Sequence, residues 1–414
     1  MITPRDSLYK NANFRLFLIS RSVYSLCLAG LPALLIVSTV RQGGTSDTLG
    51  MVLGVGALPA IIGAFFSPKI LQRISQRDLF IGASFSWLIV ALGMAVTTYL
   101  GVHSRAVLIS VSFLLEAIGS VFYPSIGSYL PQIVPKELLK SANSTRATIG
   151  NLLGVLGPIL FSVLAAGVSV MSSWLLVAAL MVVAVVMQSK LPAGRLVAPL
   201  EPDGILSEAK SGLRVFFGSE KVRTVVLFSG FWHLVVWSGY MVAGPLLLKR
   251  WYSSVAWWGW LEGAFALGTV LGSLIARRVR GNVAFVCVLG MLPQAVLLVL
   301  LATGSPAWVL LLISIVSGSS LAAGGVLWIT WVQSSFSEDE IPAVLSWDYL
   351  FSEGLAPIGF LLAPVVIALV GLQQAGLWLG LCCLVVGCIL LITVSLTRAR
   401  SKVGNVEDGR ITRA

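Results

Sequence analysis

Long apolar runs broken by short polar turns repeat along the whole chain. Taking a membrane-crossing helix as about 20 mostly apolar residues, the pattern predicts spans at about Phe14–Val40, Leu49–Leu71, Leu79–Leu100, Ala106–Leu130, Ser144–Val168 and Ser172–Met187. Six more follow at about Thr224–Leu248, Val255–Ala276, Val283–Ala302, Ala307–Gln333, Pro342–Val370 and Ala375–Leu396. The gap between the sixes is the only long polar stretch. Within it Ile205, Leu206, Ala209, Leu213, Phe216 and Phe217 recur at helical spacing between charges, which predicts an amphipathic helix on a membrane surface. The expected organisation is an N-terminal six-helix bundle (1–187), a linker with that helix (188–223), a C-terminal six-helix bundle (224–397) and a polar tail (398–414).

Composition narrows the class. Of 414 residues 57% are apolar and 11% charged, against about 45–50% and about 25% in ordinary soluble domains. That excess excludes a soluble multidomain enzyme and predicts an all-α membrane protein of twelve transmembrane helices. The net charge of +11 matters through its sidedness. One set of loops collects Arg5, Lys10, Arg15, Lys69, Arg73, Arg77, Lys136, Lys140, Arg277, Arg278 and Arg280, together with the bases of the linker and tail. The opposite set has Arg41, Arg105, Lys249 and Arg250. By the positive-inside rule both termini and the linker are expected in the cytoplasm, with the protein in a plasma membrane, the inner one where there are two.

The chemistry of an enzyme or metalloprotein is not indicated. Cys27, Cys287, Cys382, Cys383 and Cys388 all lie in apolar runs without a Cys-x-x-Cys spacing, and His103 and His233 have no partner at helical spacing. Neither pattern builds a disulfide framework or a metal site, so no cofactor or metal is expected. No phosphate-binding Gly-x-x-x-x-Gly-Lys-[Ser/Thr] loop is present, which argues against a nucleotide-driven pump. Nucleic-acid binding is not implied. The polar N-terminus followed by an apolar run carrying Arg21 reads as a retained first helix.

The halves echo each other. Gly54, Gly63 and Arg73 recur 205 residues later as Gly259, Gly268 and Arg278, and Gly157-Pro158 in the fifth span meets Ala363-Pro364 in the eleventh at an offset of 206. Equal offsets at matching spans indicate two parallel six-helix repeats, a common construction in transporters.

Three segments carry a family resemblance: NANFRLFLISRSVYSL, FYPSIGSYLPQIVPKELLKSANSTRATIGNLLGVLGP across the fourth and fifth spans, and DYLFSEGLAPIGFLLAP in the eleventh. Through them the chain resembles the major facilitator superfamily from Asn11 to about Leu396, most closely its macrolide-efflux and enterobactin-exporter branch. The resemblance implies an alternating-access transporter of a small molecule, a functional monomer in the bilayer. The family's basic loop between spans two and three departs here: Arg73 and Arg77 remain, while Gln72 stands where an Asp is usual. Gly157-Pro158 resembles the Gly-Pro motif of proton-exchanging exporters; its physical content is a bend and close helix approach, with tight packing common to any helical bundle as the alternative reading.

Ionisable groups inside spans are functional candidates because they are costly there. Glu116, Arg21 and Glu353 are the candidates for proton coupling: Glu116 lies too deep for a short side chain to reach outside water, and Arg21 is the nearest candidate cation. The family's cavity-lining spans one, four, seven and ten lend substrate contacts to Arg21, Glu116, His233, Trp232, Trp237, Tyr240, Trp328 and Trp331, with a membrane-interface belt as the alternative reading for the tryptophans. Gate candidates are Arg73, Arg77, Arg146, Gly157, Pro158 and Asp348. Arg146 and Asp348, near cytoplasmic helix ends, are also expected to snorkel to water, and the acidic loop Glu338-Asp339-Glu340 is a candidate partner for the basic loop. The expected function is secondary active export of an amphipathic small molecule (a drug, siderophore or secondary metabolite) against protons; an importer or uncoupled facilitator is the alternative.

Overall fold

The computed structural model describes residues 10–71, 73–122, 125–194, 218–337 and 341–411. The predicted surface helix around 205–217 and the acidic loop at 338–340 lie outside them. Helices occupy nearly all of the described residues, and the spans fall where the apolar runs place them. The first six are Ala12–Arg41, Ser46–Leu71, Gln76–Tyr99, Arg105–Phe122 with Ser125–Ile133, Leu139–Gly167 and Val170–Ser189. The seventh joins Glu220–Trp232 to Ser238–Tyr252 through a π-helical turn at His233–Trp237. The remainder are Trp257–Ile275, Val283–Ala302, Ala307–Ser335, Ile341–Phe351 with Ala356–Val370, and Leu372–Ile411. Ten helices among the described residues are individually long and apolar enough to cross a membrane. The last helix runs on to Ile411, through most of the stretch expected as a separate tail.

Polar caps set several helix starts. The Asn11 side chain accepts from the Phe14 backbone N–H at 3.1 Å and donates to the Ile133 carbonyl at 2.9 Å. Ser75, Ser169, Ser219 and Asn282 cap the third, sixth, seventh and ninth spans. Each satisfies a backbone donor that the first helical turn leaves unpaired. Large apolar side chains such as Ile89, Trp308, Leu369, Trp378 and Ile392 are exposed, the arrangement lipid favours and water does not.

The chain divides into two compact units: residues 1–202, 241–267 and 360–369 form one, and residues 203–240, 268–359 and 370–414 the other. The seventh, eighth and eleventh spans are therefore shared between units. The helix pairing repeats at an interval of six spans. In the first unit the first span packs on the fifth, the second on the fourth and the third on the sixth. In the second unit Gly230 rests on the Phe351 carbonyl and Gly359 on the Leu234 carbonyl, joining the seventh span to the eleventh. Gly268 and Gly272 rest on the carbonyls of Ile315 and Ser319, joining the eighth to the tenth; the ninth packs on the twelfth. Small residues at these crossings let backbones approach closely, the main route to helix association in lipid.

Candidate functional site

A cavity of about 430 Å³ opens in the second unit, lined on one side by Ser229, Trp232 and His233 of the seventh span and on the other by Asp348, Ser352 and Glu353 of the eleventh. Trp328 of the tenth span and Met291 of the ninth complete much of the wall. Two backbone irregularities border it. The π-helical turn inserts an extra residue after Trp232, and the eleventh span breaks between Phe351 and Ala356, with a single 3-10 turn at Glu353–Leu355. Pro357, which has no N–H to give a preceding turn, sits just past that break and suits the first turn of a new helix. Ser238 ties the two together, its hydroxyl placed to donate to the His233 carbonyl at 2.7 Å and lying 3.2 Å from the Ala356 carbonyl. Irregular backbone at membrane depth is tolerated where it is buried or lines a cavity, and π-turns gather at functional sites.

The polar groups of the cavity are held in place. Asp348 Oδ2 accepts from Trp328 Nε1 at 2.8 Å, and its Oδ1 accepts from the Ser352 hydroxyl at 2.9 Å. These two neutral donors fix Asp348, half-buried, in the cavity wall. Glu353 is exposed on that wall, within electrostatic range of Asp348. His233 Nδ1 lies 2.9 Å from the Ser229 carbonyl; a carbonyl only accepts, so Nδ1 carries the proton and a neutral ring presents Nε2 as an acceptor. Trp232 is buried, and its Nε1 donates to the Met291 carbonyl at 2.9 Å.

The other aromatic candidates extend this wall without lining it. Trp237 stacks on Trp232 at 5.6 Å between ring centroids, and Tyr240 lies 6.0 Å beyond Trp237. Trp331 stacks on Trp328 at 5.5 Å, with the Lys221 ammonium 5.5 Å over its ring. All belong to the second unit.

The proton-coupling candidates of the first and fourth spans sit in the first unit. Arg21 places its guanidinium 5.4 Å from the centroid of Tyr24, whose buried ring stacks on Trp87 at 4.5 Å and 14°. Arg21 and Glu116 both act electrostatically on Tyr24, so cation, phenol and carboxylate share one neighbourhood. Glu116 is exposed on its helix. Tyr24 and Trp87 were not singled out from sequence; four-residue spacing and three-residue spacing of polar groups, as in Arg21 and Tyr24, was the available signal.

The gate candidates divide. Gly157 brings the fifth span against the first: a Cβ there would lie 2.7 Å from the Leu26 carbonyl oxygen and 3.0 Å from the Gly30 nitrogen. The fifth helix is continuous through Pro158, so close approach is the part of the Gly-Pro motif that the geometry displays. The Pro158 carbonyl faces Gly259 of the eighth span, Ile159 faces Gly263, and Pro364 of the eleventh faces Gly50, all inside the first unit. Arg77 forms an ion pair with Asp78 at 3.0 Å, and its backbone N–H donates to Ala193 O at 3.3 Å. With the Tyr129 hydroxyl donating to Pro192 O at 2.8 Å, this fastens the start of the linker to the first unit. Arg73 is exposed and Arg146 half-buried.

The family model described as Major Facilitator Superfamily matches residues 16–347. Among solved structures, the chain is similar to the nucleoside transporter NupG in its D323A form, at 14% identity and a TM-score of 0.74, covering 92% of this chain and 99% of that one. It is also similar to a bacterial homolog of the human lysosomal transporter Spinster, inward-facing and unoccupied, at 14% identity and a TM-score of 0.63 over 96% and 98% of the two chains. A POT family transporter in complex with a thioalcohol-conjugated peptide matches at 12% identity and a TM-score of 0.65, over 92% and 96%. No curated protein matches the sequence.

Proposed function

The chain belongs to the major facilitator superfamily, and from that premise we propose that it is a secondary active transporter exporting an amphipathic small molecule in exchange for protons. The observation carrying this reading is the cavity of the second unit. Its volume of about 430 Å³ falls in the range of ligand sites, about 300–1,000 Å³, and it combines indole faces with a few fixed polar groups. Such a wall buries an apolar body and orients a polar head.

Glu116 supplies the coupling. A conformational change that alters its access to water or its distance from Arg21 loads or releases a proton. Tyr24, stacked on Trp87 beneath Arg21, holds the cation in place. The direction rests on Gly157-Pro158, the exporter-like motif, whose carbonyl meets Gly259. Glycine on backbone carries no interlocking side chains, so such a contact separates and re-forms as alternating access requires. The bias of basic loops supports cytoplasmic termini, in a plasma membrane and with one chain as the functional unit.

The test uses proteoliposomes with an imposed pH gradient. Glu116→Gln keeps the shape and removes titration, so substrate exchange persists while gradient-driven accumulation is lost. A Gln variant that accumulates substrate like the wild type overturns the coupling assignment, and net flux toward the side carrying the basic loops overturns export.

A further inference from the structure

We infer that the second-unit cavity selects an organic cation, holding its charge between Asp348 and Glu353 and its apolar body against the indoles of Trp232 and Trp328. The inference rests on the transporter reading above and specifies its substrate class.

The electrostatics of the wall exclude the alternatives. No Lys or Arg lines the cavity among the described residues, and neither carboxylate has an ion-pair partner among them. The two donors on Asp348 are a neutral indole N–H and a neutral hydroxyl. They use about two of the roughly four lone-pair positions of a carboxylate, orienting the group without cancelling its charge. His233, the one base among the described lining residues, donates its Nδ1–H to Ser229 O, and its neutral ring turns only an acceptor, Nε2, toward a ligand. An anion would therefore meet two like charges and no cationic donor. A neutral occupant would strip water from Asp348 and Glu353 and return nothing, a costly exchange for charged groups. A cation pairs with both carboxylates, and the negative face of an indole adds attraction. An ammonium with N–H groups gains hydrogen bonds to the free carboxylate positions and to His233 Nε2 as well. The cavity of about 430 Å³ leaves room for an aromatic or branched body attached to that charge.

Equilibrium binding to the purified full chain decides the matter, with radiolabelled tetraphenylphosphonium as the cation and triphenylphosphine oxide as a neutral compound of related shape. Wild-type protein is expected to bind the phosphonium at least about 30-fold more tightly than the oxide. Glu353→Gln, at an exposed position whose change leaves packing intact, is expected to weaken phosphonium binding about 10-fold and the Asp348→Asn/Glu353→Gln pair about 100-fold, with oxide binding unchanged. Tyr129→Phe, at a position outside the cavity lining, is expected to bind both compounds like the wild type. Equal wild-type affinity for the two compounds overturns the proposal, as does no phosphonium binding or full binding by a Glu353→Gln protein of unchanged melting temperature. Direction of transport does not enter this measurement. Carboxylate-dependent phosphonium binding with net inward flux would overturn export and leave the cation site standing, whereas outward transport of the oxide alone would do the reverse.

Discussion

Gly259→Val tests the glycine contact between the fifth and eighth spans. A Cβ at this position would fall on the Pro158 carbonyl oxygen and the Ser162 Cβ, with Ser162 Oγ at 2.6 Å. Carbon contacts settle at about 3.5–4.0 Å, so the two helices must part by about 1 Å, and valine's branches add to the crowding. Forcing extra methyl groups into a packed contact costs about 1–3 kcal/mol. The strain falls on the conformer in which the contact is closed, so between two conformers separated by a few kcal/mol it shifts the ratio about 5- to 150-fold toward the open one. The assay is maleimide labelling of Ile159→Cys, whose native side chain packs on Gly263 one turn along the same contact. Labelling is expected to quicken by a factor in that range, with transport slowed. Gly154→Val in the fifth span, where an added Cβ meets nothing within 4 Å, should label at the parent rate. A folded Gly259→Val protein that labels and transports like its parent would refute the reasoning.

Other expectations follow from the same geometry. Trp328→Phe removes the indole donor to Asp348 and should weaken tetraphenylphosphonium binding about 10-fold or more, because hydrogen bonds to charged groups are worth about 1.5–3 kcal/mol; unchanged affinity in a binding isotherm counts against the ordered carboxylate. Tyr129→Phe keeps the ring packing on Phe17 and Phe80 and loses only the bond to Pro192 O, a change of about 1 kcal/mol to be read as a melting-temperature drop of about 2 °C. Cysteine labels near Pro202 and after Lys402 should react only from the cytoplasm and one at Thr45 only from outside; opposite-side reaction of the two termini contradicts the assigned orientation.

The spans were legible because apolar runs of bilayer length admit one reading, and some helix contacts because glycine and proline recur at a common offset. Gly259 and Gly268, found through that offset, do mediate helix contacts. The cavity was legible in part. His233, Trp232 and Trp328 stood out as polar or aromatic groups in spans likened to cavity-lining helices, and all three line it. Asp348 also lines it, held by Trp328 and by Ser352 beside the helix break. Gly354 and Pro357 around Ser352 were the available sign of the break. The π-turn at His233–Trp237 leaves no comparable mark; Ser238 and Gly359 meet there across neighbouring spans, a contact that local sequence does not display. The backbone and side chain of Arg77, a gate candidate, meet linker residues more than a hundred positions away, a contact that no local pattern marks.

Proton-driven export is tested most directly by the outward movement of two fluorescent amphipathic dyes, cationic ethidium and neutral Nile red, from loaded cells before and after a protonophore is added. Cells making the wild-type chain should expel ethidium faster than cells making Glu116→Gln, and the protonophore should abolish that difference. Faster net entry of ethidium in wild-type cells, or an export difference that persists with the proton gradient collapsed, would contradict the account.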